Sequence, residues 1–339
     1  MSPWPGRTLL DRPDRRLQGT PQLSTQDRPR DTTRTEAERG LVFGFAAYGM
    51  WGVLPLYFHA LAPASPLEIL AHRVVWSVVV CAAAWAGLRD LSWLRPLLAV
   101  PHRLLLLAIA AFLLAINWGV YIYAVSVDNV VESSLGYFIN PLVLVLMGVL
   151  ILHERLRPLQ WIAVAIGTVA VLVIAWDYGR PPWIALALAF SFAAYGFIKK
   201  KVGPVVDALP SMTVESAVLA PFALAILTWL GITGNGTFTQ DAPWHPLLLS
   251  LSGIITTVPL VCFAAAARRV PLTTMGLLQF TAPVLQLLIG VLVLGEQVPP
   301  VRWIGFGLVW VALVILTADS VRSTRRRTRL RAASVAGGS

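Results

Sequence analysis

The chain has 339 residues, of which 57% are hydrophobic and 13% charged, with a mean hydropathy of +0.70 and a formal net charge of +10. Soluble domains carry about a quarter of their residues as charged side chains, so this balance excludes an ordinary water-soluble domain. The two cysteines, Cys81 and Cys262, lie inside apolar runs and suggest neither a disulfide framework nor a metal site.

In chain order, residues 1–39 are polar and rich in Pro, Arg and Asp, and read as a disordered cytoplasmic tail with too few apolar side chains to repay ordering. They contain no apolar core of the secretory-signal kind. Ten apolar segments follow, at roughly 41–61, 67–88, 104–125, 131–152, 159–176, 182–199, 211–231, 247–267, 271–294 and 301–318. Each can cross about 30 Å of hydrocarbon at about 1.5 Å per residue. Residues 319–339 form a basic cytoplasmic tail. The expected fold class is therefore an all-α polytopic membrane protein of ten transmembrane helices. Pro55, Pro141, Pro221, Pro259 and Pro283 fall within spans, where each frees a carbonyl that neighbouring protein must satisfy.

Span 1 carries Tyr48 and Trp51. Span 2 opens SPLEILAHRVVWS, with Glu68 and His72 one turn apart on one face and Arg73 roughly 10 Å below the span's start. A charge at that depth normally faces a cavity or a partner; the alternative is snorkelling to the headgroups. Span 3 places Asn117 near mid-membrane with Trp118 beside it and Tyr121 a turn later. Span 4 begins with Glu132, Ser133 and Ser134 and carries Tyr137 and Asn140 deeper; span 6 adds Tyr195, and span 9 adds Thr273, Thr274, Gln279 and Gln286. Polar groups in hydrocarbon need partners, as helix–helix contacts or as a lining. Their concentration in spans 1–4 and 6–9 predicts a polar and aromatic central cavity, with spans 5 and 10 peripheral. Glu154 and Glu296, closing spans 4 and 9, are expected to hydrogen-bond neighbouring helix ends.

Basic residues set the orientation. With the N-terminus inside, 24 of the 27 Lys and Arg fall on the cytoplasmic side; only Arg180 and Arg302 fall outside, and Arg73 lies within a span. The expected location is the plasma membrane, with both termini cytoplasmic.

The chain also repeats itself. FAAYG occurs at Phe45–Gly49 and again at Phe192–Gly196, and the same shift places Glu68 on Glu215. LGYFINPLVLVLMGVLILHE, ending at Glu154, matches LLQFTAPVLQLLIGVLVLGE, ending at Glu296, pairing Pro141 with Pro283. Residues 40–178 and 179–318 are then two copies of a five-span unit. Five is odd, so the second copy is expected to enter from the opposite face, the arrangement used by alternating-access carriers.

No G-x-x-x-x-G-K-[ST], H-E-x-x-H or G-x-S-x-G pattern occurs. A gradient, rather than bound nucleotide, is the expected driving force, and no cofactor or metal is expected. Glu68, Glu132 and Glu215 are candidates to bind a coupling proton. The expected partners are a small-molecule substrate, that proton and membrane lipid; nothing calls for nucleic acid. A lipid-intermediate translocase, an integral-membrane enzyme and a scaffold are the competing readings.

EILAHRVVWS, NWGVYIYAVS, ESSLGYFINPL, ALALAFSFAAYGFIKKKV and AARRVPLTTMGLLQFTAP resemble RarD-type permeases of the EamA, or drug/metabolite transporter, superfamily. The resemblance spans Gly40 to Ala318. It implies two inverted five-helix EamA-type repeats around a central cavity, and export of small amphipathic or aromatic metabolites or drugs, with chloramphenicol sensitivity as the family's label. It also marks Glu68, His72, Arg73, Asn117, Glu132, Ser133, Ser134, Tyr137, Asn140, Glu215 and Gln279 as motif positions.

Overall fold

A computed structural model describes residues 30–152, 156–202, 206–239, 243–267, 269–270, 274–275 and 278–336. Residues 1–29, together with Glu154, Arg268 and Thr273, lie outside the described residues. The helices are α1 (Arg30–Ala60), α2 (Pro66–Leu88), a short α3 (Leu94–Leu98), α4 (Pro101–Ser126), α5 (Val130–Leu152) and α6 (Pro158–Tyr178). They continue with α7 (Trp183–Val202), α8 (Ala208–Thr233), α9 (Trp244–Ala267), α10 (Thr281–Leu288), a π-helical turn (Ile289–Val293) and α11 (Pro300–Ala336).

Their ends follow from local chemistry. Pro66, Pro101 and Pro158 begin helices, where the missing N–H would have been unpaired in any case. Ser65 caps α2, its hydroxyl oxygen accepting from Glu68 N at 3.2 Å. Gly179 and Gly234 stop α6 and α8 in the left-handed region, at φ 62° and 72°.

Among the described residues, eight helices are long and apolar enough to cross a membrane. Two shorter apolar helices, Trp183–Lys199 and Thr281–Val293, occupy the sixth and ninth predicted spans. Two ends differ from expectation. α1 begins at Arg30 and α11 runs on to Ala336, so helical backbone continues into both polar segments. Arginine and alanine are good helix formers, and a helix already nucleated in the apolar region extends at little cost.

α6 packs along α11, with Ala163, Ala170 and Ile174 facing Phe306, Val309 and Ala312 in one buried cluster that also takes Phe138 of α5. The remaining principal contacts are α5 with α7 and α10, α2 with α8 and α9, α1 with α9 and α10, and α4 with α7 and α8. Two crossings are backbone-tight. A Cβ on Gly136 of α5 would lie 2.7 Å from the Ala185 carbonyl oxygen, and one on Gly253 of α9 would lie 2.4 Å from that of Trp76. Large apolar side chains such as Leu172, Trp176, Ile232 and Val314 point outward, as lipid contact requires.

Candidate functional site

Arg73 is 4% exposed, buried where α1, α2, α4 and α9 meet. Its Nε donates to Thr256 Oγ1 of α9 at 2.7 Å. The guanidinium carbon lies 3.9 Å from the Trp118 ring centroid and 5.6 Å from that of Phe58. Burial of this kind rules out snorkelling. Placing a charge mid-membrane costs at least about 2.5 kcal/mol, and cation–π contact returns about 2 kcal/mol when desolvated. Among the described residues Nη1 is buried without a partner, as are the Tyr121 hydroxyl, His72 Nδ1 and Trp76 Nε1. The aromatic wall continues from Phe58 to Tyr121 at 5.9 Å and from Tyr121 to Tyr137 at 5.7 Å. His72 instead stacks on Phe238 at 4.7 Å, on the side of the α8–α9 loop.

Asn117 adjoins this wall through Tyr137. Its amide donates to the Leu188 carbonyl and to Ser191 Oγ of α7, both at 3.1 Å, and its oxygen accepts from the Tyr137 hydroxyl at 3.1 Å. Asn140 donates to the Ala189 carbonyl at 3.2 Å. Both asparagines therefore tie α4 and α5 to α7. Ser133 and Ser134 return their hydroxyls to Val130 and Val131 carbonyls of their own helix. Tyr48 and Trp51 pack edge-on at 5.3 Å and meet Phe263 of α9, while Gln286 donates to the Trp51 carbonyl at 3.2 Å. Gln279 lies partly buried just before α10.

Three acids hold backbone N–H groups of loops and helix starts. Glu68 accepts from Thr237 N at 2.7 Å and Phe238 N at 3.2 Å, and its second oxygen from the Thr237 hydroxyl at 3.1 Å, pinning the α8–α9 loop. Glu132 accepts from Ile184 N at 3.1 Å, capping α7, and pairs with Arg180 at 3.0 Å. Glu296 caps α5, accepting from Val130 N at 2.6 Å and Val131 N at 2.9 Å, the role expected of it. Burial pushes the Glu296 carboxyl up from its ordinary value, and the two N–H donors draw it part of the way back. Glu296→Ala should lower stability by about 1 to 2 kcal/mol. Thermal unfolding of the detergent-solubilised protein would read this, and an unchanged midpoint would refute the cap.

Glu215 is different, because its partners are side chains. Lys199 Nζ lies 2.8 Å from Oε1, the Ser211 hydroxyl donates to the same oxygen at 2.8 Å, and the Tyr195 hydroxyl approaches Oε2 at 3.4 Å.

The predicted site residues thus divide. Arg73, Tyr121 and Tyr137 share one buried wall, with Asn117 bonded to its Tyr137. Tyr48 and Trp51 form a second group, and Tyr195 and Glu215 a third. Thr256 and Phe58 were not anticipated from the sequence. The signal for Thr256 was present, as Ser252 and Thr256 are polar and one turn apart in an apolar segment.

The family model for EamA-like transporters matches the chain twice, over residues 38–176 and 181–318. A protein named RarD from Streptomyces exfoliatus is 54% identical over 300 residues, covering 88% of this chain and 95% of the relative. An uncharacterized transporter of Pseudomonas aeruginosa is 43% identical, covering 85% and 96%. One solved protein structure superposes with a TM-score of 0.54 at 20% identity, over 81% of this chain and 96% of the other, a likeness of fold alone. The chain belongs to the EamA-like transporter family, as a RarD-type member, and is a membrane transporter rather than an enzyme.

Proposed function

We propose that the chain is a gradient-driven exporter of the plasma membrane, moving a small amphipathic or aromatic metabolite or drug by alternating access between two inverted repeats, residues 40–178 and 179–318. The observation that carries this reading is the packing pattern. Exchange α1 with α7, α2 with α8, α4 with α9, α5 with α10 and α6 with α11. The contacts α6–α11, α2–α8 and α5–α10 then map onto themselves. The contact α1–α9 becomes α4–α7, α2–α9 becomes α4–α8, and α5–α7 becomes α1–α10. A pattern that survives exchange of its halves has two near-equivalent arrangements, which is what a carrier needs. The double match of the family model supports the same duplication.

Orientation with both termini cytoplasmic is supported by the two basic residues that this topology leaves outside. Arg180 is neutralised by Glu132, and Arg302 by Asp177 at 2.6 Å. Of the three acids suggested for proton coupling, Glu215 is the best placed. Lys199 and Tyr195 are side chains that can part from it, whereas Glu68 and Glu132 hold backbone N–H groups that a proton would release.

Two measurements test this. Cysteines placed at Asn235 and Arg95, in a background lacking Cys81 and Cys262, should react with an impermeant maleimide from opposite faces. Asn235→Cys should label in intact cells and Arg95→Cys only after permeabilisation; labelling from one face would end the inverted topology. In proteoliposomes, counterflow should respond to an imposed pH gradient, and indifference to the gradient would remove proton coupling.

A further inference from the structure

Three other partly buried cations have a carboxylate supplied by the chain: Arg180 has Glu132, Lys199 has Glu215 and Arg302 has Asp177. Arg73, the most deeply buried of them, has none among the described residues. Glu68, on the same helix, gives both of its oxygens to Thr237 and Phe238. The ionisable groups that face Arg73 from the helices packed around it are the phenols of Tyr57, Tyr121 and Tyr137. These are neutral, and the Tyr57 hydroxyl is itself committed to the Leu248 carbonyl at 2.7 Å.

What the guanidinium leaves open is specific. With its face against Trp118 and its Nε donating to Thr256, the guanidinium keeps Nη1 buried and without an acceptor among the described residues. Trp118 and Tyr121 are one turn apart on α4 and so share a face. Phe58 lies against both Arg73 and Tyr121, and the Tyr121 hydroxyl, like Nη1, is a buried donor with no acceptor among the described residues. Two orphaned donors beside an aromatic wall match an oxyanion carried on a flat apolar body. A purely architectural role fits less well. Under the register that superposes Glu68 on Glu215, Arg73 falls on Ala220, so the second half of the chain does without it.

We propose that Arg73 recognises the anionic group of the transported molecule, and that the substrate is a small organic carboxylate with an aromatic or other flat apolar body. The carboxylate supplies the missing counter-ion, accepting from Arg73 Nη1 and the Tyr121 hydroxyl while its body lies along Phe58, Tyr121 and Tyr137. This deepens the transporter reading above and rests on it for the word substrate.

The test begins with binding. The purified full-length chain in detergent is melted with benzoate, 3-phenylpropionate or indole-3-acetate, with the corresponding neutral amides, and with sodium chloride at equal ionic strength. Folded-state binding raises the midpoint. At least one carboxylate should stabilise the wild-type chain while its amide does not, because a charge-assisted bond is about twice as strong as a neutral one. Arg73→Gln should weaken that carboxylate by about 10-fold or more, and Tyr121→Phe by about 3-fold. Equal stabilisation by acid and amide, the same effect from chloride, no response to any of the three carboxylates, or an unaltered response in Arg73→Gln would each overturn the proposal. If Arg73→Gln does not fold, the acid–amide comparison on the wild-type chain still decides. Counterflow of the same labelled compounds separates the two readings. Exchange of amides but not acids would leave a transporter without an anion site. A carboxylate that binds through Arg73 yet never crosses would leave an anion site without a transporter.

Discussion

Gly253→Ala is expected to destabilise the protein by about 3 kcal/mol, at the upper end of what overpacking costs, and Gly253→Val to leave little folded material. The reason is that the obstacle is backbone. A Cβ at this position would stand 2.4 Å from the Trp76 carbonyl oxygen, 2.5 Å from its carbon and 2.8 Å from Trp76 Cβ, so no rotamer change relieves it. α2 and α9 would have to separate. Thr256 lies one turn after Gly253 on α9, and Arg73 one turn before Trp76 on α2, so the same separation would pull apart the 2.7 Å Arg73–Thr256 hydrogen bond. Stability and site geometry should therefore fail together. Gly231, in the last turn of α8 with nothing within 4 Å of a built Cβ, is the control. Gly231→Ala should be neutral or gain up to about 1 kcal/mol from helix propensity. Thermal midpoints of the two variants in one detergent decide the matter; equal midpoints would mean that the α2–α9 crossing is not close.

The contrast between those two glycines also shows which parts of the molecule can be read from sequence. Helix existence was legible because runs of about twenty apolar residues have few alternatives in a membrane, and Pro66, Pro101, Pro158 and Gly179 mark starts and stops by mechanisms local to the chain. Partner choice was not. Gly231 and Gly253 look alike in sequence, and only the crossing of α2 over α9 distinguishes them. Likewise the depth of Arg73 could be counted from Pro66, but Thr256 lies on another helix in the other half of the chain. Glu68 was expected to be functional because it is an acid near the membrane. What it holds are backbone N–H groups of Thr237 and Phe238, and backbone donors leave no signature in a sequence. The ninth span misled differently. Its composition reads as one continuous helix over 271–294, whereas among the described residues helical Thr274, Met275 and Leu278 give way to a turn at Gln279 and Phe280, then to α10 and a π turn at Ile289–Val293. There Leu294 N reaches back to the Ile289 carbonyl at 2.9 Å, and Gly290 lies against Val131. Composition measures how apolar a segment is and is blind to how its backbone is wound.

The Lys199–Glu215 pair should show the opposite of additivity. Lys199→Met strips the cation from a carboxylate that is 4% exposed, leaving two hydroxyl donors to support a buried charge. Breaking a buried pair from one side costs about 3 to 5 kcal/mol. Glu215→Gln is expected to be milder. Its amide oxygen can still accept from Ser211, its NH2 can donate to the Tyr195 hydroxyl oxygen, and Lys199, on a side chain already partly exposed, can turn its ammonium to the nearby surface. The double variant, Lys199→Met with Glu215→Gln, should then melt close to Glu215→Gln alone and well above Lys199→Met. A double variant no more stable than Lys199→Met would show that the lysine contributes by packing and not by charge. The same three proteins test function, because the pair joins α7 to α8 on the side proposed to be cytoplasmic. If Glu215 carries the coupling proton, restoring stability does not restore coupling. The double variant should exchange substrate in counterflow yet ignore an imposed pH gradient, while a full pH response from it would take the proton away from Glu215.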